Sequence, residues 1–102
     1  DGTVLATFSW DGMLRLWDVE TQTQLHALTD EGIFKAYLAF SPDGSLIVAA
    51  DFRIRIWDVN TGELLSRFDG DLVSDVSFNP QGTLLATGGD SGVVQLWGIP
   101  SD

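Results

Sequence analysis

One short segment recurs three times along this chain at a constant interval. It reads LRLWDV at residues 14–19, IRIWDV at residues 54–59 and VQLWGI at residues 94–99. Successive copies lie 40 residues apart. A period of this size indicates an array of one supersecondary unit, in which each copy buries its apolar surface against its neighbours. The repeat divides the chain into three units, residues 1–28, 29–68 and 69–102.

Within the units, short runs of apolar and β-branched residues alternate with turn signals. The runs at 5–8, 46–49 and 84–87 are typical of strands covered on both faces, and we call them the second strands of their units. The runs at 24–28 and 63–68, the fourth strands of their units, are partly polar, which indicates that they are more exposed. Four short strands per unit at about ten-residue spacing, without helical periodicity, predict an antiparallel meander.

These features resemble the WD-repeat β-propeller family, whose blades are four-stranded meanders. The resemblance rests on the Trp-Asp pairs at 17–18 and 57–58, on the turns at 41–44 and 79–82, and on Asp11 and Asp51, each six residues before its Trp. It implies an all-β partial β-propeller of antiparallel four-stranded blades, with three strands, one full blade and three strands. It also implies a non-catalytic scaffold that binds proteins or peptides.

The family usually has a His before the first strand, which joins a buried network with a turn Asp, a hydroxyl on the second strand and the Trp. This chain has acidic residues and Gly there instead, at 30–32 and 69–71. The remaining network positions, for which we expect a structural role, are Ser9, Asp11, Trp17, Asp51, Trp57 and Trp97. We therefore expect apolar packing between blades to provide most of the cohesion.

The runs at 35–40 and 73–78 are the first strands of their units. In a meander, the loops before first strands and the turns after second strands share one end of the sheet. Aromatic and acidic residues are interleaved there, which suits a basic partner because rings supply apolar area and cation–π sites while carboxylates attract cations. The expected partner-binding residues are Trp10, Asp11, Glu31, Phe34, Phe52, Asp71 and Asp90. The alternative is that the acidic turns are solvated caps and that Phe34 and Phe52 pack inward.

The net charge of -10 argues against nucleic acid and membrane surfaces as partners. The remaining partner classes are a protein or peptide of basic character, further blades of the same propeller, or other copies of the chain. With no Cys there is no disulfide or thiolate chemistry. No motif calls for a cofactor.

Three other interpretations are weaker. The acidic loops at 30–31 and 69–71 lack the ligand spacing of a calcium site. The segment around Ser91 resembles the nucleophile segment of chymotrypsin-like proteases, but the single His, His26, lies in another unit, so we expect no catalytic residues. Arg15, Arg53 and Arg55 share strand faces with Trp residues, which predicts stacking of guanidinium groups on rings.

Two strand edges are also expected to need partners. The strand at 93–97 should have an unpaired outer edge, and we expect a segment upstream of Asp1 to pair with it. A further strand is expected immediately before Asp1. A purely architectural segment of a larger propeller is therefore the alternative to a binding scaffold.

Overall fold

The computed structural model describes residues 3–9, 12–28, 36–51, 53–69, 73–89 and 92–99. These ranges contain ten β-strands and no helix, so no helix of the described chain could cross a membrane. The strands are β1 (Val4–Phe8), β2 (Leu14–Asp18), β3 (Thr23–Leu28), β4 (Tyr37–Phe40), β5 (Leu46–Ala50), β6 (Arg53–Asp58), β7 (Leu64–Asp69), β8 (Val73–Phe78), β9 (Leu84–Gly89) and β10 (Val94–Gly98).

The strands form three antiparallel meanders. The first sheet has the order β1-β2-β3, the second β4-β5-β6-β7 and the third β8-β9-β10. The repeated Trp occupies the same register in each sheet, opposite Leu5, Ile47 and Leu85. This arrangement of three, four and three strands confirms the fold class that the repeat predicted.

Two apolar clusters join the sheets. In the first, Leu14 and Leu16 of the first sheet pack with Ile47 and Trp57 of the second. In the second cluster, the other face of the middle sheet packs against the third sheet, through Val48, Ile54, Ile56, Val76 and Leu85. The middle sheet is therefore covered on both faces, which explains why every residue of β5 is apolar.

The outer sheets are covered on one face. Residues of β1 alternate between half-buried and exposed, and in β10 the exposed fractions of Val94 and Leu96 reach 69% and 67%. Coverage on both faces, expected from sequence for all three second strands, thus holds for β5 but not for β1 or β9. Apolar composition alone cannot distinguish these strands, because coverage depends on which sheets have two neighbours.

The turns after β2 and β6 share a backbone path but differ at one residue. The Gln22 N–H donates to Asp18 O at 2.8 Å, and the Gly62 N–H donates to Asp58 O at 2.8 Å. Gln22 has a φ of 58° and Gly62 a φ of 76°. Both are in the left-handed region, where a side chain crowds the following carbonyl and glycine meets no such penalty.

We expect Gln22→Gly to raise the free energy of unfolding by about 0.5–1 kcal/mol, because removing the left-handed strain exceeds the added entropy of the unfolded chain. Urea denaturation measures the change. The reverse substitution, Gly62→Gln, is the matched control and should destabilise, because a Cβ there would lie 2.8 Å from Nδ1 of His26. A Gln22→Gly variant no more stable than the parent chain would contradict this account.

Candidate interaction surface

The expected partner-binding residues lie outside the described residues: Trp10, Asp11, Glu31, Phe34, Phe52, Asp71 and Asp90. The strand ends next to them are described. Tyr37, the first residue of β4, pairs with Ala50, the last of β5. Asp69, the last of β7, pairs with Arg53, the first of β6. These strand ends therefore meet at one end of the second sheet, which we call the loop end.

A buried ion pair lies at the loop end, where β5 turns into β6. Asp51 Oδ1 accepts hydrogen bonds from Arg55 Nη1 at 3.1 Å and from the Arg53 N–H at 2.8 Å. The side chain of Arg55 is 1% exposed and that of Asp51 is 7% exposed. A buried guanidinium requires a nearby anion, so Asp51 stabilises Arg55 and holds this turn to the sheet.

The structure shows polar partners for the three arginines that were expected to stack on rings. Arg55 pairs with Asp51, Arg53 Nε lies 3.4 Å from Asp69 Oδ1 at the surface, and Arg15 Nη1 donates to Ser9 Oγ at 2.7 Å. Each partner lies at the loop end of its sheet. The shared strand face with Trp was visible in the sequence, but the polar partners at the strand ends and turns were not inferred from it.

The hydrogen-bond partner of the repeated Trp differs from the one inferred from the sequence, which grouped Ser9 with Trp17. Trp17 Nε1 donates to Thr7 Oγ1 at 2.9 Å, while Ser9 binds Arg15. In the third sheet Trp97 Nε1 donates in the same way to Thr87 Oγ1 at 3.1 Å. The reason is register, because the Thr stands two residues beyond the residue opposite the Trp and shares its face.

Aligning the three second strands would have revealed this pair. Thr7, Ala49 and Thr87 occupy equivalent positions opposite Arg15, Arg55 and Gln95. The middle sheet thus has a methyl group where the outer sheets have a hydroxyl, and Trp57 lies instead in the first apolar cluster with an exposed fraction of 1%. Trp57 therefore stabilises the junction mainly through apolar contact.

Replacing Thr87 with Val should lower the free energy of unfolding by about 1–2 kcal/mol, because Thr87 is buried and the indole N–H of Trp97 loses its acceptor. The same change at Thr7, which is exposed, should alter stability by less than about 0.5 kcal/mol, because water can replace the hydroxyl. Urea denaturation of the two variants compares them directly. Equal losses would show that burial does not set the strength of this bond.

His26 connects the first sheet to the second. Its Nε2 lies 3.0 Å from the carbonyl oxygen of Asn60, in the turn that follows Trp57. Because a carbonyl oxygen only accepts, Nε2 carries the proton in this contact. The ring also covers Gly62 so closely that a Cβ there would clash. The sequence indicated a surface position for His26, whereas the structure places it at a junction between sheets.

No cluster of three His, Asp or Glu side chains suited to a metal ion occurs among the described residues. The acidic loop positions considered for calcium, Asp30, Glu31 and Asp71, lie outside those residues, as does Ser91. The described partner of His26 is a backbone carbonyl.

Comparison with known families agrees with this geometry. The sequence profile of the WD domain, G-beta repeat, matches residues 1–18, 26–58 and 62–98, most of the chain. The chain belongs to the WD-repeat family. Proteins of the WD-repeat family are generally non-catalytic scaffolds that bind other proteins.

Two kinds of WD-repeat relative show the extent of the similarity. "WD repeat and SOCS box-containing protein 1" of Takifugu rubripes and of Homo sapiens are each 33% identical over 105 residues, covering 97% of this chain and 25% of the relative. "Meiotic recombination protein rec14" of Schizosaccharomyces pombe is 30% identical over 105 residues, covering 99% of this chain and 35% of the relative. The chain therefore spans a quarter to about a third of the length of these relatives.

Proposed function

We propose that this chain is a non-catalytic WD-repeat scaffold that binds a protein or peptide of basic character through its loop end. The binding residues are Trp10, Asp11, Glu31, Phe34, Phe52, Asp71 and Asp90. The observation that carries the proposal is the convergence of the flanking strand ends, Tyr37, Ala50, Arg53 and Asp69, on one end of a sheet. Loops on a rigid scaffold are common positions for binding residues.

The charge of the chain supports the same partner class. With a net charge of -10, the molecule attracts cationic segments from solution and repels anionic ones. Aromatic side chains supply buried apolar area and cation–π sites for Arg or Lys once contact is made. Charge therefore directs the encounter, and the rings hold the complex together.

The test is selection of peptides from a displayed random library by the chain and by the double variant Trp10→Ala, Phe52→Ala. We expect the chain to enrich basic peptides and the double variant to bind the selected peptides at least about tenfold more weakly, because two aromatic contacts are lost. Leu25→Ala is the control, since Leu25 is an exposed apolar residue of β3 far from the loop end. Unchanged affinity in the double variant would show that the loop end is not the binding surface.

A purely architectural role is the second candidate, and exposed apolar surface favours it. Leu5 on the first sheet and Val94 and Leu96 on the third are exposed on the outer faces of their sheets. Such faces are commonly covered by other blades or proteins. Under this alternative, the library selection enriches no peptide whose binding depends on Trp10 or Phe52.

A further inference from the structure

A groove of about 580 Å³ lies between the second and third sheets, at the end opposite the loop end. The turns at residues 41–45 and 80–83 form its two rims. Leu46 and Ile56 form its floor, with Leu65, Ser66 and Ile99 beside them. Its volume is within the range of about 300–1,000 Å³ that is typical of ligand pockets.

The two junctions between sheets differ at one position on the fourth strands. His26 in β3 pairs with Leu16, and Ser66 in β7 pairs with Ile56, so the two side chains occupy equivalent positions. At the first junction the His26 ring reaches across to Asn60 and covers the turn of the next sheet. At the second junction Ser66, with its shorter side chain, lines the groove.

Among the described residues that line the groove, the ionisable side chains are Asp43 and Asp58, and none is Lys, Arg or His. Three hydrogen bonds to Asp43 Oδ1, from Ser45 N–H, Ser45 Oγ and Ser41 Oγ, lower the pKa of this carboxyl to about 2. Asp43 is therefore ionised at neutral pH. The groove thus combines an apolar floor with negative charge at its rim.

The carboxylates of Asp43 and Asp58 can each accept further hydrogen bonds. The bonds to Asp43 converge on Oδ1, and Asp58 Oδ1 likewise accepts from the N–H groups of Asn60 and Thr61 at 2.8 and 3.0 Å. No donor among the described residues forms a hydrogen bond with Oδ2 of either residue. Carboxylate oxygens in this state bind guanidinium and ammonium groups well.

We propose that this groove is a second binding site, which takes a short peptide segment in which an aliphatic side chain is flanked by Arg or Lys. The aliphatic side chain packs on Leu46 and Ile56, and the cationic groups pair with Asp43 and Asp58. A second copy of the chain is a poorer occupant, because its net charge is also -10. This site is separate from the loop end and does not depend on the function proposed for that end.

The probe is a fluorescein-labelled pentapeptide with glycine ends and a central leucine between two arginines. Fluorescence anisotropy with the 102-residue chain should give saturable binding at about 10–100 µM, which weakens as salt is added. Matched peptides carry glutamine or glutamate in place of both arginines. The glutamine peptide should bind at least about tenfold more weakly and the glutamate peptide should not bind, because the rim is negative.

Substitutions then locate the bound peptide. Ser66→His introduces the side chain that closes the first junction and should abolish binding of the arginine peptide. Asp58→Asn keeps the oxygen that caps the turn but removes the charge, and should weaken binding about two- to fivefold. Asp18→Asn is the matched control, because Asp18 Oδ1 caps the equivalent turn through Glu20 and Thr21 but lies away from the groove. It should leave binding unchanged.

A second matched pair keeps the test decisive if Ser66→His disturbs folding. Leu65 lies at the groove and is 50% exposed, while Leu25, at the equivalent position of β3, is 42% exposed. Leu65→Lys should abolish binding by adding positive charge at the groove, and Leu25→Lys should retain it. Trp10→Ala with Phe52→Ala should also retain it, which separates this site from the loop end.

Three results would overturn the proposal. One is the absence of saturable binding of the arginine peptide up to about 1 mM, and another is full binding by a folded Ser66→His or Leu65→Lys variant. The third is equal weakening by Asp18→Asn and Asp58→Asn, which would mean that the net charge attracts the peptide without a specific site.

Discussion

The Trp57→Ala variant is expected to lose about 3–5 kcal/mol of unfolding free energy, the range measured for large-to-small changes in cores. Trp57 is 1% exposed and packs between the first and second sheets with Ile47, Leu14 and Leu16. Removing the indole leaves a cavity that the rigid sheets cannot close. Since small domains are stable by only about 5–15 kcal/mol, the variant should lose a large part of its stability.

Trp17→Ala is the control for this prediction, because Trp17 has the same place in the repeat but lies half-buried on the outer face of the first sheet. It should lose less than about half as much, in proportion to its smaller buried area. Urea denaturation followed by far-UV circular dichroism reports both variants without depending on the fluorophore removed. Equal losses would mean that position in the repeat, rather than burial, sets the contribution of each Trp.

The second large effect is expected at the buried ion pair. Asp51→Ala should lower the free energy of unfolding by about 3–5 kcal/mol, because the guanidinium of Arg55 remains buried without this carboxylate. The Arg53 N–H also loses its acceptor. Thermal and urea denaturation measure the loss.

Two comparisons separate a buried pair from a surface one. Adding Arg55→Leu to Asp51→Ala should recover part of the stability, because an apolar side chain replaces the buried cation. Arg53→Ala, which removes the surface pair with Asp69, should change stability by less than about 1 kcal/mol. If the double variant were no more stable than Asp51→Ala alone, burial of the Arg55 charge would not be the cause of the loss.

The two proposed sites lie at opposite ends of the sheets and favour partners of similar charge. The loop end is proposed to present aromatic and acidic residues, whereas the groove has an aliphatic floor with carboxylates at its rim. A single basic partner could therefore be held at either end. Trp10→Ala with Phe52→Ala tests the loop end and Ser66→His tests the groove, so failure of one proposal leaves the other standing.

Much of the architecture follows from local sequence. The 40-residue period, the turn residues and the absence of helical periodicity predicted ten strands in groups of three, four and three, and the structure confirms them. The partly polar fourth strands, β3 and β7, are largely exposed, as their composition indicated. These features could be predicted because turn preference and apolar alternation act between residues close in the chain.

The candidate sites could be predicted only in part. The assignment of the loop residues to one end rests on the alternation of turns in an antiparallel meander, and it stays a prediction because those residues lie outside the described ranges. The hydroxyl partners Thr7 and Thr87 were missed, since they depend on the register between two strands. The contact of His26 with Asn60 was missed because the two residues belong to different sheets, 34 positions apart in the chain.

The sequence by itself determined that this chain is a WD-repeat array of antiparallel meanders with an acidic surface, because repetition, turn chemistry and charge are properties of the chain alone. Only the tertiary structure decided which sheet is covered on both faces, which acceptor each Trp and Arg meets, and where a groove remains open. Those outcomes depend on how neighbouring sheets approach one another. At the second junction Ser66 lines the groove, at the position from which His26 reaches the next sheet at the first junction.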